Sequence, residues 1–233
     1  NDPVGTRRRY RVIRRSLDRT RTTARALGGT VNDASLCAVA GGLSDLLASR
    51  HEELHPGTVH ALVPVSVRRE DEHGALGNRV AAMIVALPTD QADPEARFRA
   101  VSAATRAAKD HHQAELSAAL LAVPEHWPEP AVAALARLVH HQPLVNLVVT
   151  NVPGPPVPLY LMGARMLEVF PIVPLARNLT VSVGILSYEH RLTLGLWADR
   201  DRFSDLEVLA RGIEKGFSQL DALARSTRNG GRR

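Results

Sequence analysis

One long stretch of the sequence carries no charge, and the prolines inside it restrict what it can fold into. Residues 138–164 contain no Asp, Glu, Lys or Arg, and an apolar helix of that length could cross a bilayer. Proline removes a backbone donor and breaks a continuous helix. Because five prolines interrupt the stretch, we predict no membrane span. Its apolar part, Leu144–Asn151, is expected to be a strand that runs into an irregular turn.

The rest of the chain combines short apolar strands with amphipathic helices. Alternating apolar residues in Val181–Ile185 and Leu192–Leu196 predict a hairpin with one buried face. Helices are predicted after the cap Thr30 and after Ser204, where Ser204-x-x-Glu207 fits a capping box. Because strands and helices do not alternate regularly, we predict the α+β class, as a two-layer α/β sandwich. Further strands are predicted at Ala61–Val67, Val80–Leu87 and Leu167–Val173.

Two adjacent glycines lie inside the helix predicted after Thr30. Gly41 and Gly42 each cost about 1 kcal/mol relative to alanine in a helix interior. We therefore expect another backbone or a ligand to approach the helix closely at this point.

Positive charge is concentrated at the two ends of the chain. The net charge is +5, yet residues 1–25 contain nine arginines against two aspartates, and residues 224–233 add four arginines. The body, residues 26–223, is left with a net charge of −6. A mildly acidic body argues against a nucleic-acid partner, whereas basic ends favour an anionic surface such as lipid head groups. The alternative is a solvated segment that reflects a preference for Arg (27) over Lys (2).

One segment matches a zinc-protease motif. His51-Glu52-Glu53-Leu54-His55 fits H-E-x-x-H, in which both histidines bind Zn²⁺ from one helical face. Pro56 follows directly and disfavours helical geometry at His55. A zinc-dependent hydrolase acting through His51 and His55 is kept as an alternative, although no metal site is predicted.

Other catalytic patterns are incomplete. The pairs His111-His112 and His140-His141 resemble the start of H-H-x-x-x-D-G, in which the second histidine is a general base, but neither is followed by Asp-Gly. Ser182 lacks the first glycine of a nucleophile elbow. Cys37, the single cysteine, lies on an apolar helix, where packing is expected. No catalytic residue is therefore predicted in this chain.

Polar residues in apolar surroundings are the remaining candidates for a site. Asn32 and Asp33 open an apolar helix, Asn78 and Arg79 enter an apolar strand, and Asn151 ends another strand. Buried amides must be hydrogen-bonded. These residues either tie loops together or line a cleft, and the residues alone leave both interpretations open.

The same positions carry a resemblance to a known family. In order, the motifs are GGTVND at 28–33, LVPVSVR at 62–68, LGNRV at 76–80, NLVVTNVPGP at 146–155 and LSY at 186–188. Together they resemble the C-terminal half of the bacterial wax ester synthase/diacylglycerol acyltransferase family, over about residues 20 to 225. The family's N-D motif falls on Asn32 and Asp33, where it implies support of the active-site architecture. The resemblance implies that five other residues belong to its motifs or line a substrate tunnel: Asn78, Arg79, Asn151, Pro153 and Gly154.

The resemblance implies a fold and an activity. The fold would be a chloramphenicol acetyltransferase-like lobe, a mixed sheet flanked by helices, as in peptide-synthetase condensation domains. The activity would be transfer of a fatty acyl group from acyl-CoA, a substrate, to a long-chain alcohol or diacylglycerol without a cofactor. The general base would come from a histidine pair in an N-terminal lobe on the same or another polypeptide. The segment around Ala176-Arg177-Asn178 and Ser182 departs from the family pattern, which affects the expected substrate preference or activity.

These inferences set the expected organisation and partners. We expect a basic linker or entry strand at 1–18, the acyltransferase lobe at 19–225 and a basic flexible tail at 226–233. Alone, the lobe should be inactive, and its exposed apolar face should allow a homodimer. A non-catalytic acyl-binding or interaction lobe is the alternative from another functional class. One cysteine and no signal-peptide pattern predict a cytoplasmic protein, with peripheral association with a membrane or lipid inclusions as a further expectation.

Overall fold

The computed structural model describes residues 4–66, 80–110, 144–175 and 178–230. Four helices and eight strands lie in these ranges. In chain order they are β1 (Arg8–Ser16), α1 (Leu17–Ala26), α2 (Val31–Ser49), β2 (Val59–Ser66), β3 (Val80–Leu87), α3 (Pro94–Asp110), β4 (Leu147–Pro153), β5 (Tyr160–Leu161), β6 (Ala164–Arg165), β7 (Val181–Tyr188), β8 (Arg191–Asp199) and α4 (Leu206–Gly230).

Six of the strands form one mixed sheet in the order β1-β8-β7-β4-β2-β3. Strand β8 pairs antiparallel with both β1 and β7, and β2 pairs antiparallel with β3. Strand β4 lies in the centre and pairs parallel with β7 and with β2. Strands β5 and β6 form a separate two-stranded hairpin. The mixed sheet and the β7–β8 hairpin are confirmed.

The helices cover one face of this sheet. Alternate strand residues such as Ile13, Ile185 and Leu194 are at most 1% exposed and belong to the same core as the helices. Burying an aliphatic side chain of this size stabilises the fold by about 1.5–3 kcal/mol. The predicted two-layer arrangement of a sheet flanked by helices is therefore confirmed.

The glycines of α2 allow helix α4 to pack closely. A Cβ added to Gly42 would lie 2.6 Å from Cγ1 of Ile213 and 2.9 Å from its backbone nitrogen. At Gly41, the added atom would lie 2.6 Å from a guanidinium nitrogen of Arg97. A Cβ added to the facing residue Gly212 would likewise lie 2.8 Å from the Cα of Gly42. The expected close approach of another backbone is confirmed, and the partner is α4.

The prediction of a strand at Leu167–Val173 is wrong. The structure has no regular secondary structure there. We call residues 168–175 the strap, because they cross the sheet face opposite the helices. Tyr10 Oη donates to Pro171 O at 2.9 Å, and Ser182 Oγ donates to Val173 O at 2.6 Å. The carbonyls that a strand would use for ladder pairing are thus taken by side chains, and Pro171 has no N–H to donate.

The ends of α4 also differ from the predictions. The helix begins at Leu206, and the Glu207 carboxylate accepts from Arg11 Nε at 3.2 Å instead of closing a capping box with Ser204. It continues to Gly230, past the lobe boundary predicted at residue 225. At the other end of the chain, residues 8–16 of the predicted linker or entry strand form β1. Within the described ranges, no helix is both long and apolar enough to span a bilayer.

Candidate functional site

The site begins at the N-terminus of α2. Thr30 caps the helix, its Oγ1 accepting from the N–H of Asp33 at 3.3 Å. The Asp33 carboxylate accepts in return from Thr30 N–H and Thr30 Oγ1, both at 2.8 Å, and from Thr105 Oγ1 of α3 at 2.7 Å. Asp33 is 6% exposed, and a carboxylate near a helix N-terminus is also favoured by the helix dipole. Its observed contacts hold α2 and α3 together.

Asn32 and Asn151 meet at the end of the sheet. Asn151 Nδ2 donates to Asn32 Oδ1 at 3.4 Å, although the two residues are 119 positions apart in the chain. Asn151 lies in β4 beside Ile185 of the parallel strand β7, and both asparagines are half-buried. The structure therefore brings together two of the polar positions that the sequence analysis singled out.

The turn after β4 lies at the same end of the sheet. Pro153, the last residue of β4, pairs with Ser187 and is exposed. The Gly154 N–H donates to Ser187 Oγ at 3.1 Å. A Cβ at Gly154 would overlap the carbonyl oxygen of Ser187, so only glycine fits there without moving the backbone. Pro153 and Gly154 thus set the exit of the chain from β4.

Several predicted positions cannot be placed. Asn78 and Arg79 lie outside the described residues, as do both histidine pairs, His111-His112 and His140-His141. Asn146, another residue of the recognised motif, lies just before the opposite end of β4, where its Oδ1 accepts from the His60 N–H at 2.7 Å. Asn146 and Asn151 are separated by most of the strand, about 16 Å at the usual rise per residue.

The geometry of the zinc-protease alternative does not form. Helix α2 ends at Ser49, and His51 follows it with a positive φ of 58°. His55 also lies outside a helix, with its Nε2 3.1 Å from Glu53. The two imidazoles therefore do not share a helical face. Among the described residues, no cluster of His, Cys, Asp or Glu could hold a metal ion.

Two other nucleophile candidates are packed into the core. Burial raises the pKa of the Cys37 thiol to about 12, with the positive charge of Arg97 acting in the opposite direction. The thiolate is therefore not available near neutral pH. Ser182 is 1% exposed and donates to Val173 O. Both residues therefore have structural roles, which for Cys37 was the prediction from the sequence.

The arginines of the N-terminal region have partners within the fold. Eight of the nine between residues 1 and 25 donate to a carboxylate or carbonyl oxygen: Arg7 to Asp201, Arg8 to Gly5, Arg9 to Ser204, Arg11 to Glu207, Arg14 to Glu168, Arg15 and Arg19 to Asp221, and Arg21 to Asp18. This region thus provides internal ion pairs along one edge of the sheet. The charge pattern alone favoured an external anionic surface.

Sequence reasoning missed two residues that shape the site. Thr105 fixes the Asp33 carboxylate from α3, and Ser187 receives the turn at Gly154 from β7. Thr105 lies 72 residues from Asp33, and nothing in its local sequence distinguishes it from other polar helix residues. Ser187 lies within a recognised motif, which was the available signal. The assembled arrangement places two half-buried amides side by side near the C-terminal end of the central strand β4, where amide atoms that the contact does not use could hydrogen-bond a polar group of a ligand.

Comparisons with known proteins identify the family and the fold of this chain. Residues 76–221 match the family described as WS/DGAT C-terminal domain. A probable diacylglycerol O-acyltransferase of Mycobacterium tuberculosis is 35% identical over 227 residues, covering 97% of this chain and 49% of that protein. The solved wax ester synthase/diacylglycerol acyltransferase from Marinobacter aquaeolei VT8 superposes with a TM-score of 0.76 at 25% identity, over 96% of this chain and 51% of that chain.

A more distant structure shows the same fold. The epimerization domain from the third module of tyrocidine synthetase B has a TM-score of 0.58 at 12% identity, over 94% of this chain and 49% of that chain. The chain spans about half the length of the curated relatives it matches. Because the family match covers more than half of the residues, the chain belongs to the WS/DGAT C-terminal domain family, the C-terminal domain of wax ester synthases and diacylglycerol acyltransferases.

Proposed function

We propose that this chain forms the acceptor-side half of an O-acyltransferase. The enzyme would move a fatty acyl group from acyl-CoA to a long-chain alcohol or diacylglycerol, as in wax ester or triacylglycerol synthesis. The observation that carries the proposal is the contact between Asn32 and Asn151 near the C-terminal end of β4, in a chain that belongs to this family. An N-terminal lobe, on the same or another polypeptide, would complete the site.

The proposed reaction needs one base and no cofactor. The alcohol oxygen attacks the thioester carbonyl carbon, the C–S bond breaks, and coenzyme A leaves as its thiolate. The alcohol proton passes to an imidazole. The described histidines have other settings, since His60 lies near the start of β2 and His190 pairs with Asp18 at 2.9 Å. Neither histidine pair of this chain is followed by Asp-Gly, so we assign the base to the other lobe, as the family resemblance implies.

The residues of this chain would position the acceptor. Asp33, fixed by Thr30 and Thr105, holds the first turn of α2 and thereby Asn32. The observed contact uses Asn32 Oδ1 and Asn151 Nδ2, so the other amide atoms of the pair can meet a polar group of the substrate. A wall on each side would keep water from the thioester. Asn78 and Arg79 are proposed to line the same tunnel, on the strength of the motif alone.

The test compares two asparagines at opposite ends of β4 in the full-length enzyme. We expect Asn32→Ala and Asn151→Ala to lower kcat/KM about 10- to 100-fold through misplacement of the substrate, with little change in melting temperature. Asn146→Ala is the matched control, since it should lower stability but leave kcat/KM of the folded enzyme near wild type. Release of coenzyme A with hexadecanol or diacylglycerol as acceptor provides the assay.

Two results would contradict the proposal. Full activity in both Asn32→Ala and Asn151→Ala would remove the role of the amide pair. Robust transfer by the 233-residue chain alone would show that the base is not in another lobe. An acyl-binding lobe without catalysis would bind acyl-CoA but give no turnover even in the full-length protein.

Peripheral association of a basic end with anionic lipid stays a prediction. Because most of the N-terminal arginines have partners within the fold, we assign that association to residues 226–233.

A further inference from the structure

Exposed apolar side chains are concentrated in one short segment. Eleven large apolar side chains are exposed among the described residues, and six of them lie between residues 157 and 167, which we call the arm. Met162, at its tip, is fully exposed. Exposed apolar residues scattered singly are normal, whereas a contiguous patch marks an interaction surface. The six are Val157, Leu159, Tyr160, Leu161, Met162 and Leu167.

The arm is an ordered hairpin. Strands β5 and β6 pair through Tyr160 with Arg165 and Leu161 with Ala164. The two turn residues, Met162 and Gly163, have positive φ values of 51° and 83°, the geometry of a type I′ turn, which matches the twist of a hairpin. The arm thus holds its apolar side chains outward in a defined shape.

The root of the arm is fastened to the end of β7. The buried Tyr188 hydroxyl accepts from the Leu159 N–H at 2.8 Å and donates to Met166 O at 3.0 Å. Met166 N–H donates to Leu159 O at 2.8 Å, which closes the hairpin. Arg165 forms an ion pair with Glu189 at 2.8 Å. These contacts fix the direction in which the arm leaves the sheet.

The position of the root indicates what covers the arm. The arm follows the turn at Gly154 and is held beside Ser187 and Tyr188, at the same sheet end as Asn151. In the proposed function, a second lobe must approach this end to bring its base to the acceptor. The chain covers 49% of the Mycobacterium tuberculosis relative and 51% of the Marinobacter enzyme, so those proteins contain a second half of similar size.

Two other occupants fit less well. The cations beside the arm and the strap are largely offset, since Arg165 pairs with Glu189 and Arg14 and Arg191 share Glu168, which leaves one net positive charge among these five groups. That arrangement does not favour an anionic lipid surface. A second copy of the chain would need a stable interface of about 1,200–2,000 Å², which an 11-residue arm cannot supply alone. A lobe that is already tethered needs much less area.

We infer that the apolar arm docks into the complementary lobe of the full-length acyltransferase, clamping the two halves together at the site. The inference rests on the proposed function, because that function requires the second lobe at this end of the sheet. Leu161 and Met162 are the residues that enter an apolar surface of that lobe. Tyr188 is a positioning residue that sets the root of the arm.

Amide hydrogen exchange tests the docking without any need for activity. The backbone amides of residues 159–166 should exchange at least about tenfold more slowly in the full-length protein than in the 233-residue chain. The double variant Leu161→Asp/Met162→Asp should remove this difference. The same variant provides its own control, because it should lower the unfolding midpoint of the full-length protein and leave that of the 233-residue chain unchanged.

The outcomes separate this inference from the proposed function. Equal exchange in the two proteins would overturn the docking even if the full-length protein transfers acyl groups. Protection of the arm in a full-length protein that transfers none would support the docking and reject the proposed function. Two further results would overturn the docking of the arm into the second lobe. If protection of the arm amides in the 233-residue chain rose with its concentration, the occupant would be a second copy. If the arm amides of the full-length protein were protected only with vesicles of phosphatidylcholine and phosphatidylserine, the occupant would be a lipid surface.

Discussion

The arginine-rich edge strand and the apolar arm use their side chains in opposite ways. In and around β1, charged groups that would ordinarily face water are engaged with carboxylates of α4, the strap and the β8–α4 connection. In the arm, apolar groups that would ordinarily be buried face outward, up to the fully exposed Met162. The comparison teaches that composition indicates which groups a segment carries, whereas the fold decides whether they are satisfied internally. The unsatisfied segment is the one that needs a partner.

The largest expected effect on stability comes from removing the buried carboxylate of Asp221, which pairs with Arg15 of β1 and Arg19 of α1. Asp221 is 3% exposed and accepts from Arg15 and Arg19, both at less than 3 Å, and from Thr23 at 2.8 Å. In Asp221→Ala, the guanidinium of Arg15 would remain in a largely buried setting without its counter-ion. We expect the free energy of unfolding to fall by about 3 kcal/mol, measured by urea denaturation.

A matched aspartate provides the control. Asp18 is exposed and pairs with Arg21 and His190, so Asp18→Ala should cost less than about 1 kcal/mol. If Asp221→Ala were as mild as Asp18→Ala, the arginines of β1 would be solvated in practice. The interpretation of this edge as internally satisfied would then be wrong.

A second change acts where the edge strand meets the strap. Gly195 of β8 lies opposite Gly184 of β7. A Cβ at Gly195 would overlap Pro171 O and lie 2.5 Å from Tyr10 Oη. Gly195→Ala should therefore displace the strap and lower the free energy of unfolding by about 1–3 kcal/mol. The backbone amides of the strap should also exchange faster with solvent, which gives a direct measure of the displacement.

The corresponding control keeps the space and removes one contact. Tyr10→Phe loses the hydrogen bond to Pro171 O, worth about 1 kcal/mol, and should leave the exchange rate of the strap amides closer to wild type. Unchanged exchange of the strap amides in Gly195→Ala would mean that the strap is not held by its fit against the glycine pair.

Local sequence patterns predicted some elements of the fold correctly and failed for others. Local patterns identified the β7–β8 hairpin and the cap at Thr30, because each depends on neighbours within a few residues. The glycines of α2 indicated a close approach to this helix, but its partner, α4, is distant in the sequence and was not identified. The strap was mistaken for a strand because its partners, Tyr10 and Ser182, are contacts between segments that no local pattern encodes. Likewise, nothing near Arg15 indicates that its carboxylate partner is Asp221, 206 residues away.

The candidate site shows the same division. The motifs identified Asn32 and Asn151 as unusual, but only the parallel pairing of β4 with β7 and the packing of α2 bring them into contact. Thr105 could not be found because its role exists only once α3 lies against α2. No local sequence pattern gave a prediction for residues 157–166 of the arm, and the exposure of their apolar side chains is known only from the fold.

The smallest expected effect is the pH dependence of the ion pairs that hold the strap to the edge strand. The hydrogen bond from Arg14 holds the pKa of the Glu168 carboxyl below its usual range, although partial burial acts in the opposite direction. A carboxyl whose pKa is lower in the folded state contributes stability above its unfolded pKa, about 4.3, and that contribution is lost as the pH falls through the folded value.

We therefore expect Glu168→Gln to show a shallower loss of stability than wild type as the pH falls from about 5 towards the lower folded pKa. Urea midpoints at each pH measure the slope, and Leu161→Ala, which changes the arm and no titratable group, should keep the wild-type slope. The effect should be smaller than that of Asp221→Ala because Arg14 faces solvent. Coincident slopes for Glu168→Gln and wild type would show that the strap is held by Tyr10 and the glycine pair, with no contribution from the charges of β1.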